Sequence, residues 1–450
     1  MVQDMTTGKT GVILVQFAIP MAIGNLLQQL YNIADTVIIG RYVGSKALAA
    51  VGNATNITFL LVAIASGFGI GASIIISQYF GAGRMEKVMT TIGTGFILIF
   101  SLSIFLTVVG MLGCKGFLRM IKTPEDIFQF SYEYLKIYLI GLIGLFLFNI
   151  CSAVFQALGD SKTPFWILVC STVVNVGLDL LLICRYHQGV AGAACATITA
   201  QFLSVVLAAV ILFRRLKKLQ VKEKYSYYQK EVAIDICKVA VPSILQQSII
   251  SLGVLALQAL VNSYGTNAVA GYTAATKIDS VAMSPMATIG NAVSTFSAQN
   301  MGAKKYDRIR QGIHWAIVLD AILALGIILI VFFQGENLVR FFLEDGEQKE
   351  VIKVAMEYLT VVSLGTIIMG IMQAYTGALR GIGDMKVFLL SFTVNISSRV
   401  MFAYLLSDLI GRNGIWFALP ISWSLGLVIA YVRFRSGKWQ FRENGEVELA

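Results

Sequence analysis

Long apolar stretches separated by short polar ones recur along this chain, and the pattern predicts twelve helices. Their approximate limits are 12–39, 47–79, 88–113, 128–157, 163–184, 189–213, 236–262, 268–300, 311–334, 350–378, 386–409 and 414–436. About 20 apolar residues span a hydrocarbon core about 30 Å thick, so each stretch is long enough to cross a bilayer. Several run past about 25 residues, which fits tilted or bent spans. The alternating segments of about ten residues that mark a transmembrane β-barrel are absent. The pattern predicts an all-α integral membrane protein.

Composition agrees. Of 450 residues, 57% are hydrophobic and 13% charged, against about 25% charged in a soluble domain. The net charge of +10 points to basic residues flanking spans on the cytoplasmic side, not to nucleic acid. With both termini cytoplasmic, the inner loops carry 21 Lys and Arg and the outer loops 9. The longest basic run, "RRLKKLQVKEKYSYYQK", falls halfway along the chain. It divides an N-terminal lobe (1–213) from a C-terminal lobe (236–450), with 214–235 as a cytoplasmic linker. "MVQDMTTGKTG" offers no basic segment and cleavage site, so no signal peptide is expected. The expected location is the plasma (inner) membrane. The six cysteines lie mostly in apolar runs without a CxxC, and there are two histidines. They read as buried apolar residues, not as a disulfide or metal set.

The two halves repeat. Displaced by 221 residues, "GSKALAAVGNATNI" lies on "GTNAVAGYTAATKI" and "SQYFGAGR" on "AQNMGAKK", with 11 identities over positions 44–84. Each half opens with a prolyl stretch, "AIPMAIGNLLQQ" and "AVPSILQQSI", and has a late turn, "ALGDSKTP" and "RGIGDMK". Six helices per half in the same order predict two parallel repeated bundles, a transporter architecture.

Within the spans, a few polar residues stand out. Asp35 lies on the first helix, where an unpaired carboxylate costs about 2.5–3.5 kcal/mol even on lenient insertion scales. Asn175 and Asp179, four apart in "NVGLD", share one face of the fifth helix. Thr197 on the sixth helix can add a hydroxyl. Two carboxylates, an amide oxygen and a hydroxyl form a hard oxygen set suited to Na⁺ or protons and unsuited to a transition metal. Carboxylates that share a low-dielectric interior repel, which favours a shared proton or cation.

At this point the residues resemble a known family, the MATE (multidrug and toxic compound extrusion) transporters. "NIADTVIIGRYVGSKALAAVG", "SQYFGAGR", "FQALGDSKTP", "NVGLD" and "SAQNMGAKKYDRI" carry the resemblance, in order and over nearly the whole chain. It implies two six-helix lobes around a V-shaped cleft. It also implies export of amphipathic, often cationic, organic compounds by alternating access, coupled to inward H⁺ or Na⁺. No cofactor, enzymatic activity or nucleic-acid partner is implied, and a monomer in contact with lipid is expected. In the DNA-damage-inducible-F-like bacterial branch, the cation or proton site lies in the N-terminal lobe. Its positions match Asp35, Asn175, Asp179 and Thr197, which the resemblance makes a candidate H⁺ or Na⁺ site. The other branch places acids in the seventh and tenth helices, and those helices carry no carboxylate in their apolar stretches here.

Gln28, Tyr31, Gln246, Lys277, Asp279, Met283 and Arg399 are candidates for the substrate cleft, as are Phe155, Met286, Met372 and Tyr375 among the aromatic and Met residues. Arg399 occupies the repeat position of Asp179, "NISSR" over "NVGLD", with carbonyls or Asp408 as expected partners. Asp320 is expected to face solvent or to be paired. Pro20 and Pro242 remove helix hydrogen bonds and are hinge candidates. The rival reading is a lipid-linked saccharide flippase of the same superfamily, which would show a basic cavity and additional helices.

Overall fold

The structure, a computed structural model, describes residues 3–218, 224–341 and 349–440. Residues 219–223 of the expected linker and the terminal 441–450 lie outside that range. Among the described residues there are twelve long helices and no strand: α1 (Thr10–Tyr42), α2 (Ser45–Gly81), α3 (Met85–Met120), α4 (Glu125–Ala157), α5 (Lys162–Asp179, continued by a π-helical turn, Leu180–Arg185) and α6 (Gly189–Lys218). They continue with α7 (Lys230–Asn262), α8 (Thr266–Gly302), α9 (Tyr306–Phe341), α10 (Lys349–Ile382), α11 (Met385–Ile410) and α12 (Asn413–Arg435).

The helices overrun the apolar stretches, because a backbone ladder continues into polar sequence where hydropathy has ended. Thus α3 runs to Met120 and α6 to Lys218. Basic residues fill several last turns, Arg119 in α3, Arg215, Lys217 and Lys218 in α6, and Arg433 and Arg435 in α12, where they complement the negative helix end. Eleven of the twelve are long and apolar enough to cross a membrane. The other is α8, whose stretch is diluted by Lys277, Asp279, Asn291 and many small polar residues. Large apolar side chains such as Leu112, Phe332 and Phe333 face outward, the surface that lipid requires.

The repeat is present in three dimensions. α2 and α8 both have 37 residues and α3 and α9 both have 36, each pair displaced by 221. Gly44 and Gly265 precede α2 and α8 with φ of 109° and 87°, a region that glycine enters without strain.

The chain forms two compact units. One comprises Met1–Asp4 and Ile23–Ile244, the other Met5–Ala22 and Leu245–Ala450. The division therefore does not follow the basic linker. It cuts α1 and α7, in each case two residues after the repeated proline, Pro20 or Pro242. The linker's end is tied into the first unit: the Gln229 amide donates to Thr94 Oγ1 at 3.1 Å and Lys87 Nζ to Gln229 Oε1 at 3.3 Å.

The motif "SAQNMGAKKYDRI" has a clear task in the second unit, where it clamps the segment before α1. The Met5 amide donates to Gln299 Oε1 at 2.9 Å. Lys305 Nζ donates to the Thr6 carbonyl at 2.8 Å. The Arg308 guanidinium donates to the carbonyls of Gly8 (2.9 Å), Met5 (3.0 Å) and Thr7 (3.3 Å). A hydrogen bond to a charged donor is worth about 1.5–3 kcal/mol. Arg308→Ala is therefore expected to release residues 5–8, seen as faster amide exchange there with α9 still protected.

Each late turn is locked by an ion pair. Asp160, before α5, accepts from the amides of Lys162 and Thr163 (both 3.0 Å), from Thr163 Oγ1 (2.7 Å) and from the Arg215 guanidinium at the end of α6. Asp384, before α11, accepts from Arg433 Nε near the end of α12 at 2.6 Å. The second half thus repeats the device of the first.

Candidate functional site

The first unit gathers the expected oxygen set. Asp35 is on α1, Asn175 and Asp179 are one turn apart on α5, and Thr197 is on α6. Asp179 is wholly buried and Asn175 is 2% exposed. Both oxygens of Asp179, both polar atoms of the Asn175 amide and Oδ1 of Asp35 are buried without a hydrogen-bond partner among the described residues. Most buried polar groups are satisfied, so a cluster of unsatisfied ones calls for a physical reason. The charges of Asp35 and Asp179 act on one another and on Tyr31 and Tyr134, so these side chains form one electrostatic neighbourhood.

Aromatic hydroxyls border the set. Tyr31, one turn before Asp35, lies with its hydroxyl 3.4 Å from Thr197 Oγ1. Tyr134 and Tyr138, one turn apart on α4, are stacked with ring centroids 6.2 Å apart, and Tyr138 hydrogen-bonds Gln201 of α6. Tyr134 and Tyr138 escape a reading that looks only for charge. Their signal is the four-residue spacing of "YEYLKIY", which places both rings on one face. Directly after Asp179, α5 widens into the π-helical turn Leu180–Arg185. Such turns occur frequently at functional sites. No group of three or more His, Cys, Asp and Glu suited to a metal ion occurs among the described residues. What the set provides is a small number of hard oxygens with free lone pairs, a fit for a monovalent cation or for protons.

The candidate cleft residues divide between the units. Gln28 is exposed and Tyr31 half-buried in the first. In the second, Gln246, Asp279, Met283 and Arg399 are half-buried and Lys277 is exposed. Asp279 and Arg399 belong to one polar cluster. The Tyr358 hydroxyl donates to Asp279 Oδ2 at 3.1 Å, and the charge of Arg399 acts on both. Arg399 donates to Ser422 Oγ and Asn395 Oδ1, both at 3.2 Å, and lies over the Trp423 ring at 5.7 Å. The expected pairing with Asp408 does not occur, and Asp408 is exposed. Nine residues along one helix separate the two by about 13 Å, beyond the reach of the side chains. Tyr272 stacks on Trp416 at 5.5 Å and both rings meet Tyr358 edge-on, which walls the cluster with aromatics.

Phe155, Met286 and Met372 are core residues, at most 2% exposed. Phe155 lies beneath the Arg215 guanidinium, and Met372 Sδ accepts from Asn395 Nδ2 at 3.5 Å. Tyr375 packs edge-on against Tyr431 and Phe434. Cysteine burial is also less uniform than expected: Cys114 and Cys151 are buried, Cys170 is exposed and the others are half-buried, all as free thiols. Asp320 does not face solvent and is not paired among the described residues. It is 1% exposed with both oxygens unpartnered there, because Gly370 lets α10 close over it.

Twelve helices in two repeated sets of six, with a buried oxygen cluster in one set, define a polytopic membrane transporter. The MatE family pattern matches residues 20–181 and 242–405, and the chain belongs to that family, as the sequence resemblance implies. It is 30% identical over 439 residues to the probable multidrug resistance protein YpnP of Bacillus subtilis (strain 168), covering 97% of each chain. It is 28% identical over 435 residues to the probable multidrug resistance protein YoeA of the same strain, covering 94% of this chain and 92% of the relative. Among solved structures, it shares its fold with a MOP superfamily transporter from Pyrococcus furiosus. That match has a TM-score of 0.89 and 21% identity, covering 97% of this chain and 98% of that one.

Proposed function

We propose that this protein exports amphipathic, often cationic, organic compounds by antiport against H⁺ or Na⁺. In this reading Asp35, Asn175, Asp179 and Thr197 bind the coupling ion, and the chain works as a monomer in the plasma membrane with both termini cytoplasmic. The observation that carries it is the set of buried, unpartnered oxygens shared by Asp35, Asn175 and Asp179. A bare carboxylate pair is untenable at this depth, so a proton or a cation completes it. The names of YpnP and YoeA support drug compounds as the substrate class.

Coupling requires that each ligand prefer a different conformation, since a ligand with equal affinity for both shifts nothing. Filling the oxygen set removes the repulsion between Asp35 and Asp179 and lets α1, α5 and α6 pack closely. An empty, charged set favours a looser packing that admits water. Tyr31 and Thr197, which join α1 to α6, transmit that change into α1. Pro20 and Pro242 lie where α1 and α7 pass from one packed unit to the other and serve as hinges. Half-buried Gln246, Asp279, Met283 and Arg399, with Lys277, in the second unit, and separately Gln28 in the first, offer the polar and polarisable contacts that adaptable drug binding needs.

The test is efflux of a fluorescent cationic dye from proteoliposomes, with H⁺ and Na⁺ gradients imposed separately. Movement driven by one gradient is expected and identifies the coupling ion. Dye that stays put under both gradients, with anionic lipid headgroups transferred instead, would favour the flippase.

A further inference from the structure

Asp320 is a second place where burial and chemistry conflict. It lies fourteen residues after the start of α9, about 21 Å along a helix rising 1.5 Å per residue. Both oxygens are buried and unpartnered among the described residues. α10 makes room for it with a glycine: a Cβ on Gly370 would fall 2.6 Å from Asp320 Cβ, 3.1 Å from its Cγ and 2.9 Å from Met286 Cε of α8. The carboxyl is thus held against α10 next to an apolar α8 side chain.

Among the described residues no neighbouring charge compensates it. On α8, Asp279 bonds Tyr358 and Lys277 has its own partner. On α10, Glu350 and Glu357 pair with Arg412, Arg380 donates to Asn291 and Ser294, and Tyr375 packs on Tyr431. On α9 itself, His314 packs against Trp315. The part of α1 that shares this core, Ile13 to Ala18, has no titratable group. The first unit shows that the fold does not need an acid here. α3 and α9 have equal length and are displaced by 221 residues. The counterpart of Asp320 is therefore Ile99, also 1% exposed.

We propose that Asp320 is a second proton-binding carboxyl, in the other unit from Asp35 and Asp179. It holds its proton while α9 packs on α8 and α10, and gives it to water only when those helices part. Ionisation and loosening of this contact are then one event, because an isolated carboxylate in an apolar interior costs far more than a neutral carboxyl. The role in transport rests on the coupled-export reading. The occupancy of the carboxyl does not.

Infrared spectra of the reconstituted protein at neutral pH test it. A neutral-carboxyl component is expected that is present in the wild type, retained in Asp35→Asn and lost in Asp320→Asn. Carboxylate bands in its place in the wild-type minus Asp320→Asn difference would overturn the proposal. Stability separates this role from a structural one. The nearly isosteric Asp320→Leu is expected to unfold at the wild-type temperature or above it, and a large fall would mean that the carboxyl makes a bond the fold requires. Protons released when ethidium is added to detergent-solubilised protein should be fewer in Asp320→Asn than in wild type, and equal release would refute exchange at this site. Absence of release from wild type as well would count against coupled export, while the infrared result still decides the protonation of Asp320.

Discussion

The Asp35→Asn variant is expected to fold, insert and bind a cationic dye, yet to lose gradient-driven efflux almost completely. The substitution keeps shape and hydrogen-bonding capacity but removes the charge whose compensation links ion binding to conformation. With Asp35 neutral, Asp179 no longer faces a repelling partner, and the difference between the empty and filled states of the site collapses. Coupling free energies of about 1–3 kcal/mol correspond to about 5–150-fold in affinity, so the variant should lose roughly two orders of magnitude in coupled efflux. Asp179→Asn should behave alike, because its oxygens are the most deeply buried of the set. Proteoliposome efflux alongside equilibrium dye binding separates the steps. Normal efflux in either variant would move the coupling role elsewhere, and lost dye binding would point to a collapsed fold.

The largest effect on stability is expected at Asp160, which a search for intramembrane charge passes over. This carboxylate caps α5 through two backbone amides and pairs with Arg215. An N-cap is worth about 1 kcal/mol, and stripping one partner from a buried ion pair costs about 3–5 kcal/mol. A quarter of the Arg215 side chain remains exposed, so solvent screens part of the loss. Asp160→Ala should therefore destabilise the first unit by about 3–4 kcal/mol. Asp160→Asn, which keeps an oxygen for the cap, should cost less. Adding Arg215→Met to Asp160→Ala should recover part of the loss, since the cation stranded beside the Phe155 ring is then gone. Thermal unfolding of wild type, Asp160→Ala, Arg215→Met and the double variant in one detergent checks the cycle, with Asp160→Asn alongside. Additive losses would show that the pair contributes nothing beyond its separate bonds.

Much of this molecule is legible in one dimension. Apolar length sets the helices, because a bilayer leaves the backbone no other partner than itself. The displacement of 221 residues becomes helix pairs of equal length, α2 with α8 and α3 with α9, since similar sequence patterns bury similar faces. Asp35 and Asp179, with the Asn175 amide one turn from the latter, identify themselves as unusual because a charge or a polar amide in an apolar run is costly wherever the run ends up. What the linear pattern does not convey is partnership. Asp160 and Asp320 are both single acids at the edge or middle of an apolar run. Folding brings Arg215 to the first across 55 residues and leaves the second facing a glycine. The basic linker suggests a boundary between two halves, yet the units exchange segments within α1 and α7, because close packing follows which faces meet, not where a polar run interrupts the chain. The helices, their repeat and the residues that cannot be idle thus follow from hydropathy and spacing, which are local. Which acid is paired, which is isolated and which helix belongs to which core depend on contacts made over tens to hundreds of residues, and only the tertiary structure sets those.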